Sequence, residues 1–261
     1  MTLVKHELRQ GRTALLIWTG AIGFLLTVCV FLFPEMKGEM ESIGDMFGSM
    51  GAFSDAFGMD QLNFGTLVGY YAIECGNVLG LGGAFYATIC AAGILSKEEK
   101  DKTAEFLLTH PISRISVLTQ KLAAVMIQIS ILNLVVYLLS IGSMALIGET
   151  IPWKEVNLMH LAYFFLQLEL GGICFGVSAF LRSGSLGAGL GIAIMLYFAN
   201  LISNIAEPAE FLDYITPFAY CDGAEIVGKG ELNLLLLGLG LLFMVAGIGS
   251  GYWKYCKKDI Q

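Results

Sequence analysis

The sequence predicts an all-α integral membrane protein with six transmembrane helices. Three observations predict it. Of 261 residues, 56% are apolar and only 14% are charged, against about 25% charged in an average soluble protein. Six mainly apolar stretches recur along the chain, each about the 20 residues that cross a hydrocarbon core of roughly 30 Å. Finally, Lys and Arg concentrate in the connections on one side of those stretches. The stretches are continuous rather than alternating with period 2, which selects helices over barrel strands. A net charge of −7 without a basic stripe argues against nucleic acid as a partner.

The elements follow in order, as one transmembrane domain over residues 1–261. Leu3–Arg12 is amphipathic and precedes the first span, Thr13–Phe33, which holds no charge. That span is long for a signal-peptide core and lacks a small-residue cleavage site after it, so it reads as a retained helix. The external segment 34–65 follows. Met36, Met40, Ile43, Phe47, Met50, Phe53 and Phe57 are spaced by three or four and draw one apolar face. Gly38, Gly44, Gly48, Gly51 and Gly58 argue for broken helices on the membrane surface. The Met residues can serve as an adaptable surface for amphiphiles. A thioether copper site is disfavoured, because amphipathicity already explains the spacing and no His or Cys accompanies it.

The second span, Gly69–Leu95, carries one charge, Glu74, and the cytoplasmic loop 96–120 comes next. Leu122–Gly148 holds none; Val156–Leu181 holds Glu169; Ser183–Ala206 holds none. After a second external segment, 207–231, the last span is Leu232–Trp253. Of the 15 basic residues only Lys37, Lys154 and Lys229 lie outside, so both termini are expected in the cytoplasm. Fourteen of the 22 acidic residues lie outside. With three bases against fourteen acids, the outer side carries about −11; with twelve against six, the inner side carries about +6.

Small residues recur at helical spacing and mark close helix packing or a face for a second copy. They include Gly76, Gly80 and Ala84 in the second span and Gly172 and Gly176 in the fourth. Glu74 and Glu169 sit at membrane depth, where a charge costs at least about 2.5–3.5 kcal/mol, so each should face a cavity or a partner. Either lines a substrate path or is a hydrogen-bonded structural group. Asn77, Gln128, Asn133, Gln167 and Asn200 supply partners, with Asn77 and Gln167 the candidates for the path. An intramembrane serine protease needs a His inside a second span, yet His6 and His110 are cytoplasmic and His160 lies near the outer boundary. No span holds an Asp, no H-E-x-x-H zinc site occurs, and Ser183–Gly187 lacks the first Gly of a nucleophile elbow. The six Cys form no visible disulfide or metal framework. Catalysis is not expected.

The cytoplasmic loop opens with a capping box, Ser96 and Glu99, which starts a short helix, Lys97–Thr109. Pro111 ends it. Phe106, Leu107 and Leu108 are three consecutive apolar residues in a cytoplasmic helix and need cover from membrane or protein. The run Glu98, Thr103, Glu105, Phe106, Leu107, Leu108, Pro111, Ile112, Ser113, Arg114, followed by Lys121, resembles the loop between the second and third spans of ABC-2 type transporter permeases. Leu3–Arg12 is similar to that family's elbow helix. Phe211–Asp222 resembles its external stretch before the last span, and Tyr255–Ile260 resembles its tail.

The resemblance implies an ATP-driven exporter in the plasma membrane. The chain would be a permease subunit that pairs with a second permease, identical or different. ATP and Mg would be bound by a separate ATPase subunit, and this chain would hold no cofactor. In agreement, no G-x-x-x-x-G-K-[ST] phosphate loop is present. The loop helix would then be the coupling helix, with Phe106–Leu108 docked on the ATPase, Glu98, Glu99, Lys100 and Lys102 at the polar rim, and Thr103, Glu105, Pro111 and Arg114 completing the motif. An amphipathic or antimicrobial peptide, or a drug, is the expected substrate, and the acidic exterior favours a cationic one. Two other functions compete. An ion-gradient-driven transporter would use Glu74 and Glu169 as relays, though residues 1–148 and 156–261 show no convincing repeat. A non-transporting anchor or sensor would need neither.

Overall fold

The computed structural model describes residues 2–48, 50–59, 61–97, 112–181 and 186–257, with side chains described except at 40–48, 53 and 55. Among the described residues all regular structure is helical, as lipid demands of a backbone it cannot hydrogen-bond. The helices are α1 (Thr2–Gly48), α2 (Ala52–Phe57), α3 (Leu67–Ala92), α4 (Arg114–Ile147), α5 (Trp153–Ser178), α6 (Leu186–Ile205), α7 (Gly223–Lys229) and α8 (Leu234–Lys257). Among them, α1, α3, α4, α5, α6 and α8 are long and apolar enough to cross a membrane, and each predicted span maps onto one of these.

The ends of the helices carry their own signals. Thr66 caps α3 by accepting from Gly69 N at 3.2 Å, and Ser113 caps α4 by accepting from Ser116 N at 3.2 Å. Asp222 caps α7, and Asn233 accepts from Leu235 N and Leu236 N at the start of α8. Gly148, at φ 74°, stops α4 in the left-handed conformation that favours glycine.

Two expectations change. Leu3–Arg12 does not form a separate elbow element; it is the first three turns of α1, with Val4 and Glu7 buried. That segment contains no proline, and Glu7 and Gln10 tie it to Lys97 and Lys121, so the helix runs unbroken into the span. The helix also does not stop where the predicted first span ends, at Phe33, and Pro34 lies inside it. The helix has 47 residues, about 70 Å at 1.5 Å per residue, and stops only at the glycines 48 and 51, the latter at φ 57°. The external segment is therefore broken, as expected, but beyond residue 48. The side chains at 40, 43, 47 and 53 of the predicted Met/Phe face lie outside the described ones.

Both termini gather at one end of the bundle, here called basal. Leu3 N donates to Gln120 Oε1 at 3.2 Å, and Arg114 Nη1 donates to Tyr255 O and Cys256 O at 3.3 and 3.2 Å. At the opposite, distal end Lys37 pairs with Glu149 at 2.9 Å. α1 packs on α4, α5 on α8, and α3 on both α5 and α6. A distal core surrounds Phe33, Tyr71, Leu79, Leu132 and Leu166, and a basal core surrounds Leu95, Leu118, Ile129, Phe175 and Tyr255. Residues 207–231 are more than an outer loop. Two 3₁₀ turns, Glu207–Tyr214 and Ala219–Cys221, lead into α7, and Phe218, Tyr220, Cys221 and Ile226 are buried in the distal core.

The small residues do internal packing. Gly76 and Gly80 face the Tyr163 side chain of α5, and Ala84 is buried beside them. Gly172 faces Met244 and Ile248 of α8. Gly176 meets the Gly247 backbone so closely that a Cβ there would lie 2.1 Å from Gly247 O. Gly176→Ala must therefore push α5 and α8 apart, a cost of about 1–3 kcal/mol. Thermal unfolding in detergent should show a lowered midpoint for Gly176→Ala. Gly142→Ala, whose Cβ meets nothing within 4 Å, should unfold like the wild type.

Candidate functional site

Three charged side chains build the basal site. Glu7 comes from α1, Lys97 from just beyond α3 and Lys121 from α4. Glu7 Oε2 accepts from Lys97 and Glu7 Oε1 accepts from Lys121 at 3.1 Å. Lys121 is fully buried and also donates to Ile94 O at 2.7 Å. Lys97 donates to Gln10 Oε1 at 2.8 Å. These lysines stand at the two stems of the basal connection, so one carboxylate on α1 holds both. Sequence reasoning placed Glu7 on an amphipathic face and missed this role; an acid within a basic N-terminus was the available signal. Arg114, expected as a coupling residue, caps the last carbonyls of α8 from the start of α4, where a cation is favoured. Glu98, Glu99, Lys100, Lys102, Thr103, Glu105, Phe106, Leu107, Leu108 and Pro111 lie outside the described residues.

Beside the ionic cluster lies a cavity of about 390 Å³. Its polar wall holds Glu7, Gln10, Lys97 and Gln128, and its apolar wall holds Trp18, Tyr86 and Ile89.

The middle of the bundle holds a second constellation. Gly76–Leu81 of α3 is a π-helical stretch, a form that recurs at functional sites and rearranges the backbone hydrogen bonds. Gln167 of α5 donates to Leu79 O within it at 3.2 Å and accepts from Asn133 of α4 at 2.7 Å. Gln167 thus lies buried as a bracket joining three helices. Asn77, at the start of the π stretch, lines a small distal cavity of about 80 Å³ with Asn200, Asn204, Tyr163 and Asp222. The structure does not bring Asn77 and Gln167 to one surface.

Glu74 is half-buried and accepts from Cys29 Sγ of α1 at 3.4 Å. Glu169 is fully buried between α5 and α8, where Gly240 makes room for its carboxyl group. Its Oε2 accepts from Tyr220 of the 207–231 segment at 2.9 Å. Burial first, then the neighbouring Cys221 and Glu169, push the Tyr220 phenol well above its ordinary value, so it stays a donor. Tyr163 Oη donates to Cys221 O at 3.0 Å, a second bond holding the same segment to α5. Tyr220 was not singled out in the sequence; it reaches Glu169 only because its segment folds inward. Among the described residues no group of three or more His, Cys, Asp or Glu is placed to hold a metal ion.

Comparison with known proteins supplies the family. The sequence profile of the ABC-2 family transporter proteins matches residues 1–259. The chain belongs to the ABC-2 transporter family. It is a transmembrane permease of an ABC transporter, which implies an ABC ATPase partner and a multi-pass place in the membrane. Two relatives come from Bacillus subtilis (strain 168). The uncharacterized membrane protein YdbK is 26% identical over 200 residues, 66% of this chain and 76% of its own. The uncharacterized protein YhcI is 28% identical over 222 residues, 75% of this chain and 70% of its own.

Two substitutions probe the constellation around the permease's buried acid. Tyr220→Phe removes the donor to Glu169 and should destabilise the protein by about 1–3 kcal/mol, the cost of stranding a buried acceptor. Glu169→Gln keeps an acceptor for Tyr220 and should lower the unfolding midpoint less. Midpoints measured in one detergent at one pH give the comparison.

Proposed function

We propose that the chain is one of two permeases, identical or different, in an ATP-driven exporter of amphipathic peptides or drugs. The basal end is its cytoplasmic end, in the plasma membrane, and the separate ATPase subunits bind ATP and Mg. The observation that carries this reading is the ionic joint at Glu7. The connection between α3 and α4 bears the family's loop motif, and its two stems are fixed to a single carboxylate on α1. A push on that connection from an ATPase is therefore delivered to α1, α3 and α4 together rather than dissipated in a loose loop. Phe106, Leu107 and Leu108 dock on the ATPase, with Glu98, Glu99, Lys100 and Lys102 around them. The path between two such bundles then switches as the ATPases close and open.

A pulldown of the tagged chain from native membranes should recover an ABC ATPase in fixed ratio, with one or two kinds of permease. Recovery of the chain without an ATPase would reject the proposal. Replacing Phe106 and Leu107 by Ser should remove the ATPase from the pulldown and abolish transport, with the thermal midpoint of the bundle unchanged. Retained ATPase and transport would reject the docking assignment alone.

A further inference from the structure

The basal cavity has a polar wall with several uncommitted donors, beside a cluster in which two lysines face one carboxylate. Each oxygen of Glu7 already takes a lysine. Lys97 directs two of its N–H groups to Glu7 and Gln10, which leaves the third. The Gln10 oxygen accepts from Lys97, and a lysine can only donate, so the two N–H groups of the Gln10 amide remain for another partner at the cavity that Gln10 lines. Gln128 accepts from the Tyr86 hydroxyl at 3.2 Å and gives one N–H to Ala124 O at 3.3 Å, which leaves one more. The Trp18 indole N–H has no partner among the described residues. Nearby acceptors are used: Gly93 O takes Lys97 N, and Ile94 O takes Lys121.

The opposite wall is apolar, through Trp18, Tyr86 and Ile89, and the cavity reaches Leu186 at the start of α6. It sits where α1 passes from its polar first turns into its apolar span, the kind of boundary at which an amphiphile keeps its head polar and its chain apolar. Space there is deliberate in one respect: a Cβ on Gly11 would lie 2.1 Å from Gln128 Oε1, so only glycine lets the amide reach Tyr86.

We propose that this cavity binds an amphiphile whose head carries a phosphate or a carboxylate. The head accepts from Lys97, Gln10 and Gln128, and the chain lies along Trp18 and Ile89. The charge preference is opposite to the one suggested by the acidic outer side. That the bound amphiphile is cargo awaiting transport rests on the exporter function proposed for the chain. Binding itself requires neither ATP nor the ATPase, so failure of one does not imply failure of the other.

The test uses the full chain in neutral maltoside micelles, with Trp18 left as the sole tryptophan by Trp153→Phe and Trp253→Phe. Brominated phosphatidic acid and a brominated fatty acid should quench Trp18 saturably, and a brominated alkylammonium should not. Gln10→Leu, outside the ionic cluster, and Lys97→Gln should each raise the half-saturating concentration about ten-fold, the scale of one charge-assisted hydrogen bond. Inorganic phosphate at millimolar concentration should leave the quenching unchanged. Displacement by inorganic phosphate would make the occupant a free anion and overturn the amphiphile. Equal saturable quenching by the ammonium would overturn the head chemistry. An unchanged half-saturation in Gln10→Leu would overturn the site.

Discussion

A single carboxylate on α1 ties together the end of the bundle where both termini meet. Glu7 and Lys121 are almost wholly removed from solvent, and an ion pair in such a place is a demanding arrangement. Desolvation offsets much of the attraction, so the pair adds little to stability over an apolar substitute. Removing one member is another matter, at about 3–5 kcal/mol, because a charge is left buried. The cluster is thus better understood as a geometric constraint than as glue. It fixes the register of α1, α3 and α4 at the point where the basal connection leaves and returns. The cavity beside it takes part of its polarity from two members of the cluster, Glu7 and Lys97.

Deeper in the bundle the constraint changes from charge to hydrogen bonds. Hydrocarbon offers no partner for a displaced carbonyl, so a π stretch in a membrane helix needs one from the protein. Leu79 O takes the Gly82 N–H and a second donor from Gln167, and Asn133 completes the line across α4. The polarity of that line is determined from its end: a carbonyl can only accept, so Gln167 gives its N–H there and must accept from Asn133. Gly83 is the accommodating residue, since a Cβ on it would lie 2.0 Å from Gln167 Nε2. Glycine, amide and π turn form one unit.

The six spans were legible because continuous apolar length is a one-dimensional property. The partners of the buried polar residues were less so. Glu169 was identifiable as costly at its depth, yet its partner lies 51 residues away, in a segment whose polarity reads as external. No spacing rule connects Tyr220 to it. The elbow was misjudged for a related reason: amphipathicity predicts an interfacial face, but Val4 and Glu7 use that face against other helices. Small-residue spacing announced close contacts without saying with what, and the contacts proved to be with α5 and α8.

The two ends of α1 are held with unequal strength, and the inequality has a direction. At the distal end Lys37 meets Glu149 with its side chain about half exposed, at 48%, and such pairs contribute about 0–1 kcal/mol. At the basal end Glu7 and Lys121 are shielded from water and cannot be separated without leaving charge buried. A displacement entering at the stems of the α3–α4 connection therefore keeps the basal joint intact and is relieved where the hold is weakest. α1 is continuous between the two, with no break at Pro34 to absorb the movement. The distal contacts are the ones that must yield.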